Sequence, residues 1–159
     1  MSATFRHSAG FGKRIEYWVV GLMLKEGLDV YLPLVDDDRI DAVIKRPDGS
    51  FVEVQIKARS KTVKLSDGGL FAAITQEIRP NYWFVFYSER HDTILVVSSG
   101  EFIEESVQNK TGVNAGKRSL WFNGTKIDKS TDERAEYIKE RYLKYVNRDF
   151  TRLLVDFPA

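Results

Sequence analysis

The apolar and polar residues near the start of the chain predict a helix followed by a short strand. Apolar side chains recur at helical spacing between Gly12 and Glu26, and Gly27 suits the end of that helix. An apolar strand is expected at residues 30–34. The acidic run that follows, Asp36-Asp37-Asp38, is interpreted as a turn.

The middle of the chain carries patterns of both kinds. Residues 70–78 favour a second helix, which Pro80 would end because proline cannot continue it. The unbroken apolar and aromatic run at 82–87 is typical of a central strand buried on both faces. Another strand is expected at 94–97, after a polar turn.

Three further elements are expected in the C-terminal part. The segment that starts Ser98-Ser-Gly-Glu has the spacing of a capping box and predicts a helix over 98–108. A strand is expected at 120–125, ending in a hairpin-type turn at Asn123-Gly124. Residues 132–154 predict a final long helix. Helices that alternate with strands in this way indicate an α/β fold with a mixed sheet.

The most informative segment is a predicted hairpin formed by residues 40–46 and 50–58. Pro47-Asp48-Gly49 suits a three-residue loop, because its last residue can adopt positive φ at no steric cost. Such a loop pairs Arg46 with Ser50. On the second strand, the apolar residues fall on one face except Phe51, which shares the other face with the polar residues.

Counting outward from this loop brings polar side chains together at one end of the hairpin. Asp41 is expected directly opposite Gln55, and Lys57 opposite Arg39. Opposed residues have Cβ atoms about 4.5–5.5 Å apart, so one small cation could contact oxygens of both Asp41 and Gln55. Asp41 alone would be an ordinary acid at a strand start, and Lys57 alone an ordinary edge lysine. Their joint placement favours a functional site.

Composition narrows the class of protein. A chain of 159 residues, 43% of them apolar, is long enough for one well-buried core, and a single domain over 1–159 is expected. The absence of cysteine excludes disulfides, thiolate chemistry and Cys-ligated zinc. No apolar run has the length of a membrane span, and no signal-peptide pattern is present, so a cytoplasmic location without a membrane partner is expected.

The net charge of +1 neither requires nor excludes a nucleic-acid partner, but basic residues are concentrated in one segment. Residues 57–64 contain no acid and four basic residues, which are Lys57, Arg59, Lys61 and Lys64. Such runs are usually solvated surface. The position of this one, directly after the strand with the candidate site, favours contact with phosphate groups.

Three short motifs resemble the PD-(D/E)XK nuclease superfamily, which includes restriction enzymes and archaeal Holliday-junction resolvases. They are Tyr31-Leu-Pro, Ile40-Asp-Ala-Val-Ile and Val54-Gln-Ile-Lys-Ala-Arg-Ser, all within residues 10–100. The resemblance implies a restriction endonuclease-like core of helix, three strands, helix and strand around a mixed sheet. The C-terminal strand and long helix would be additions to that core.

The resemblance also implies a chemistry, namely hydrolysis of DNA phosphodiester bonds with Mg²⁺, or with Mn²⁺ in its place. Asp41, Gln55 and the backbone carbonyl of Ile56 would hold the ion, and Glu16 matches the acid of the family's first helix. Lys57 would orient the attacking water or stabilise charge on the phosphate. The residues expected to contact the nucleic-acid backbone are Arg59, Lys61, Lys64, Lys13 and Arg14.

Two positions depart from the family's pattern. Ile40 stands where proline often precedes the acid, and Gln55 stands where the E-x-K element has its acid. Glutamine occurs at this place in some restriction and homing endonucleases. An amide oxygen can ligate Mg²⁺ but brings no negative charge, so cation binding should be weaker. Glu16 or Glu77, on the two predicted helices, is a candidate for the missing carboxylate, although a surface pair with Lys13 explains Glu16 equally well.

Two other functions stay open on the sequence alone. A catalytically degenerate module would keep the fold and the basic segment and would bind nucleic acid without cutting it. A protein-interaction subunit would use the aromatic C-terminal part instead. The motifs do not separate DNA from RNA as the substrate. Many members of the superfamily act as dimers, but no homodimer interface is recognisable in the sequence.

Overall fold

A computed structural model describes residues 8–35 and 38–155, so Asp36 and Asp37 of the predicted acidic turn lie outside the described residues. Its elements are α1 (Ser8–Lys25), β1 (Asp29–Tyr31), β2 (Ala42–Lys45), β3 (Phe51–Arg59), β4 (Leu70–Ile74), β5 (Tyr82–Ser88), β6 (Thr93–Ser98), α2 (Ser99–Glu105), β7 (Val107–Gln108), β8 (Arg118–Trp121), β9 (Asn123–Ile127) and β10 (Arg134–Ile138). Two 3₁₀ helices follow, at Glu140–Tyr145 and Thr151–Leu154. Within the described ranges no helix is long and apolar enough to cross a membrane.

Five strands form the central sheet in the order β1, β2, β3, β5, β6. Neighbours are antiparallel except β3 and β5, which run parallel. The parallel pairing places Lys57, near the end of β3, beside Phe86 of β5. Every residue of β5 is buried, which confirms the predicted central strand.

Strand β5 is buried on both faces because its alternate side chains enter two different cores. Val85 packs with Val19 and Met23 of α1 in one core. Phe84 and Phe86 belong to a second, largely aromatic core, in which their ring centroids lie 5.3 Å apart. Residues of β4, β8 and α2 complete this second core. The central sheet is therefore covered by α1 on one side and by these elements on the other.

Two local predictions are confirmed. The hairpin loop pairs Arg46 with Ser50 through a 2.8 Å bond from the Arg46 amide to the Ser50 carbonyl, and Gly49 has a φ of 87°. Ser98 caps α2 in a reciprocal capping box with Glu101, although the helix ends at Glu105 and not at residue 108. Both features depend on side chains close in sequence, which is why their patterns were informative.

The predicted helix at 70–78 is wrong, because Leu70–Ile74 forms strand β4 and pairs with β8. Phe71 and Ile74 have helical spacing and are both buried. The strand buries both because its register shifts between them and Ala73 adopts a φ of 57°. The α/β class is confirmed, but the predicted order of helix, three strands, helix and strand is wrong at its second helix.

Two predictions in the C-terminal part are also wrong. Asn123 and Gly124 do not form a turn but begin β9, which pairs with β10. Residues 132–154 form β10 and the two 3₁₀ helices in place of one long helix. Left-handed backbone at Asp132 and Phe150, with φ of 57° and 60°, is incompatible with a continuous α-helix.

Candidate active site

The candidate site begins where the hairpin ladder ends. The last register pair is Ala42 with Val54, and the Asp41 amide also donates to the Val54 carbonyl at 2.8 Å. Two residues of one strand that face one residue of the other form a β-bulge. The ladder therefore does not extend to the predicted pair of Asp41 with Gln55. Instead Oδ2 of Asp41 accepts a 2.7 Å hydrogen bond from the Ile56 amide, which joins the two strands through a side chain.

Glu16 of α1 and Asp41 line the same cavity, whose volume is about 70 Å³. Lys13 also lines this cavity, and its ammonium nitrogen lies 2.8 Å from Oε2 of Glu16. The hydrogen bond to Glu16 raises the pKa of Lys13. Glu16 is expected from the sequence either at the site or in a surface pair with Lys13. The structure combines the two, since Glu16 lines the cavity with Asp41 and its carboxylate also pairs with Lys13.

Lys57 lies half-buried near the end of β3, under the influence of three charged side chains. Burial is the largest effect and lowers the pKa of its ammonium; Asp41 and Glu16 oppose this change, and Arg39 adds to it. Among the described residues no carboxylate forms a direct ion pair with Lys57. A half-buried ammonium without such a pair is suited to bind an incoming anion.

Gln55 and Tyr82 form a buried polar pair, with 8% and 2% of their surface exposed. The Tyr82 hydroxyl lies 3.0 Å from Oε1 of Gln55 and 2.7 Å from the carbonyl oxygen of Arg39. The guanidinium of Arg79 stacks 4.3 Å from the Tyr82 ring centroid and pairs with Glu53 at 2.5 Å. Burial raises the pKa of Tyr82 to about 12, so its phenol is neutral at physiological pH.

The donors at this end of the sheet suit a hard cation that keeps part of its water. Mg²⁺ is commonly bound by one or two carboxylates and retains several waters, and Glu16 and Asp41 face one small cavity. No group of three or more His, Cys, Asp or Glu side chains arranged to hold a metal occurs in the described part of the chain. Glu77 is exposed in the segment after β4, where its backbone carbonyl accepts a hydrogen bond from the Ser99 hydroxyl. It is not among the residues that line the cavity.

The predicted backbone-contacting residues follow the chain away from Lys57. Arg59 donates to the Asp67 carbonyl at 3.0 Å, and its guanidinium lies 3.8 Å from the Asp67 carboxylate. The Lys64 ammonium is also 3.8 Å from that carboxylate, with 78% of its side chain exposed. Lys61 is exposed as well. Asp67 therefore offsets part of the positive charge, while both lysines still reach solvent.

The two basic residues of α1 line different depressions. Lys13 lines the cavity with Asp41, whereas Arg14 lines an apolar groove with Trp18 and Tyr87. Those two aromatic rings lie 4.8 Å apart between centroids. The structure therefore places Lys13, but not Arg14, at the cavity that Asp41 lines.

Residues 60–68, the basic loop, are anchored by polar side chains from distant parts of the sequence. Arg90 donates to three loop carbonyls, those of Lys61, Val63 and Lys64. Glu136 has a side chain only 2% exposed, pairs with Arg90, and accepts from the amides of Ser66 and Gly68. Burial alone would raise the pKa of Glu136, but the hydrogen bonds from Arg90 and Gly68 outweigh it and lower the pKa.

Tyr82, Arg90 and Glu136 are the residues that sequence reasoning missed. Tyr82 begins an otherwise apolar strand, and a buried tyrosine hydroxyl needs a partner, which is a signal that the sequence contains. Glu136 fell within a predicted helix, and no local pattern relates it to a loop about 70 residues earlier, at a separation of 68 from Gly68.

Comparisons with known proteins identify a fold rather than a family. No protein-family model matches the chain, and no curated protein matches it. Among solved structures, that of a bacterial homing endonuclease, I-Ssp6803I, is similar over 93% of this chain and 91% of that chain, with a TM-score of 0.60 and 20% sequence identity. The chain thus has an α/β nuclease-like fold, as the sequence predicted, and membership of the PD-(D/E)XK superfamily stays a prediction.

Proposed function

We propose that this chain is a PD-(D/E)XK-type endonuclease that hydrolyses DNA phosphodiester bonds with the help of Mg²⁺ or Mn²⁺. The observation that carries the proposal is that Glu16 and Asp41 line one cavity of about 70 Å³ and that both carboxylates act on the pKa of Lys57, which lines a neighbouring depression at the end of β3. The similarity to a protein described as a homing endonuclease supports this reading.

Asp41, Gln55 and the Ile56 carbonyl, together with Glu16, would hold the cation. When bound, such an ion polarises a phosphate and lowers the pKa of a coordinated water. The chain's own contribution is to orient these donors. The Ile56 amide fixes the Asp41 carboxylate through its 2.7 Å bond, so this group needs little reordering when it binds.

Lys57 is the residue we assign to the developing negative charge. Its ammonium is half-buried and has no direct carboxylate partner among the described residues, so a phosphate oxygen or an attacking water can approach it. A cation in a partly desolvated position stabilises transition-state charge more strongly than one in water. The exposed lysines of the basic loop, Lys61 and Lys64, would contact the DNA backbone.

The test compares cleavage of plasmid, branched and single-stranded DNA in Mg²⁺, Mn²⁺ or EDTA. Asp41→Asn keeps an acceptor for the Ile56 amide while it removes the charge, and Lys57→Ala removes the ammonium. Each is expected to reduce cleavage at least about 100-fold, since positioned electrostatic groups contribute about that much. Asp29→Asn and Lys45→Ala, which are exposed on β1 and β2, are the matched controls and should cut like the parent. Metal-dependent cleavage that persists in both site variants would contradict the assignment.

A second function is favoured by one observation, the neutral amide of Gln55 at the position where the E-x-K element has its acid. On that reading the chain binds nucleic acid without cutting it. Binding that weakens steeply with salt, with no cleavage in any metal, would support the binding module. In that case Gln55→Glu, which adds the family's acid, becomes the informative variant.

A further inference from the structure

The hydroxyl of Tyr82 has more acceptors around it than it has protons. It lies 2.7 Å from the Arg39 carbonyl oxygen and 3.0 Å from Oε1 of Gln55. A neutral phenol carries one proton, so it cannot donate to both oxygens at once. The carbonyl of Arg39 has no other donor among the described residues. Tyr82 itself is 2% exposed, so water has little access to the hydroxyl.

The conflict disappears if the Gln55 amide is turned by half a turn about its terminal bond. That rotation exchanges Oε1 and Nε2 with almost no change of shape. Nε2 then donates to the Tyr82 oxygen, and Tyr82 donates to the Arg39 carbonyl. We propose that Tyr82 is a positioning residue that accepts a hydrogen bond from Gln55 and thereby directs the amide oxygen of Gln55 away from itself.

This arrangement gives a physical reason for glutamine at position 55. A carboxylate has only acceptor oxygens, so it would leave either its own oxygen or the Arg39 carbonyl without a proton from Tyr82. The released amide oxygen is the atom available to a cation. That last consequence rests on the proposed function, whereas the hydrogen-bond arrangement does not.

A double-mutant cycle for folding stability, measured in EDTA and without DNA, tests the arrangement. The cycle combines Tyr82→Phe with Gln55→Glu and uses urea unfolding at mildly alkaline pH, where the new carboxylate is ionised. We expect Gln55→Glu to lower the folding equilibrium constant about tenfold more in the parent than in the Tyr82→Phe background, because only the parent loses a hydrogen bond. Gln108→Glu, on the exposed strand β7, should show no coupling to Tyr82→Phe.

The sign of the coupling decides between the two amide orientations. If Tyr82 donates to Gln55, a carboxylate accepts the same bond more strongly, and Gln55→Glu is then less harmful in the parent. A coupling of that opposite sign, or no coupling, overturns the proposal.

Nuclear magnetic resonance of the parent protein provides a second test that needs no variant. The side-chain amide protons of Gln55 should show contacts to the Tyr82 ring and slow exchange with solvent, and their absence would also overturn it.

The cation consequence is tested separately by Mn²⁺ binding without DNA. Tyr82→Phe removes the acceptor that holds the amide, and loss of such a supporting hydrogen bond typically weakens metal binding about 10–100-fold. If the coupling has the expected sign but Tyr82→Phe binds Mn²⁺ as tightly as the parent, the Tyr82–Gln55 hydrogen bond is supported and the role of Gln55 as a ligand is refuted. Failure of the cycle with intact metal-dependent cleavage would refute the arrangement alone.

Discussion

Glu136→Gln is expected to loosen the basic loop without unfolding the protein. In the folded chain the Glu136 carboxylate pairs with Arg90 and accepts from the Gly68 amide at 2.9 Å. Arg90 in turn holds three carbonyls of the loop. Glutamine keeps the shape and one acceptor oxygen, but it brings an NH₂ group into a cluster of donors and removes the charge that balances Arg90.

The magnitude follows from what is lost. A hydrogen bond to a charged group contributes about 1.5–3 kcal/mol, and the side chain is 2% exposed, so water cannot replace it in the closed loop. We therefore expect the free energy of opening the loop to fall by about 2 kcal/mol. This corresponds to an opening equilibrium constant about 30-fold larger.

Trypsin digestion under native conditions measures this opening, because the loop contains Lys61 and Lys64 as cleavage sites. Where the loop closes faster than the protease cuts, the cleavage rate follows the open population. Cleavage between residues 60 and 68 should become about 30-fold faster in Glu136→Gln. Glu133→Gln, an exposed neighbour on the same chain segment, should leave the rate unchanged.

The dependence on pH gives a second reading of the same contact. The pKa of Glu136 in the folded protein is below its ordinary value of 4.5. A carboxylate with a lowered pKa stabilises the folded state fully above the unfolded pKa, and this contribution is lost as the pH falls through the folded value. The free energy of opening the loop in the parent protein should therefore stay constant near neutral pH and fall below about pH 4.5. Unchanged loop cleavage in Glu136→Gln, or faster cleavage at all sites together, would refute the anchoring role.

Three further predictions concern folding stability. Gly68→Ala should lower the free energy of unfolding by about 1–3 kcal/mol, because its Cβ would lie 2.5 Å from Oε1 of Glu136, whereas Gly21→Ala on open surface of α1 should raise it by about 0.5–1 kcal/mol in urea unfolding. Asp41→Ala should lower the free energy of unfolding by about 1–3 kcal/mol and speed hydrogen exchange at the Ile56 amide, whereas Asp41→Asn should lower it less. Equal effects of the two variants would mean that the side-chain acceptor is unimportant. The pKa of Tyr82 is raised to about 12, so its contribution to folding stability is full below pH 10 and is lost as the pH rises toward 12. The free energy of unfolding of Tyr82→Phe should therefore fall less over that range than that of the parent.

The hairpin could be predicted because its determinants are local. The loop Pro47-Asp48-Gly49 and the period of β3 act over a few residues, and the structure reproduces the pairing of Arg46 with Ser50. Loop type and strand period do not predict the bulge at Asp41. Nothing in the local sequence shows whether Asp41 continues the ladder by pairing with Gln55 or accepts a hydrogen bond from the Ile56 amide through its side chain. The sequence therefore names candidate residues for the site but does not predict their relative geometry.

The helices predicted at 70–78 and 132–154 failed for a different reason. Phe71 and Ile74 satisfy a helical spacing, yet β8 offers β4 a partner strand that helical periodicity cannot foresee. In the same way β10 pairs with β9, and this pairing carries Glu136 to the basic loop. Contacts between residues far apart in sequence override local preference here, which is the usual limit of reading one sequence.

Strand β5 has a larger part in the candidate site than any motif in the sequence indicates. Its first residue, Tyr82, contacts Gln55 on β3 and the carbonyl of Arg39, two residues before Asp41. Arg39 adopts a left-handed φ of 57°, a conformation that costs energy in a residue other than glycine and needs support from its surroundings. One hydroxyl thus supports both the backbone that leads to Asp41 and the side chain of Gln55. Under the proposed function the hairpin would supply the functional groups, and Tyr82 on the parallel strand beside it would orient Gln55, so such a site would depend on the β3–β5 pairing as well as on the motif.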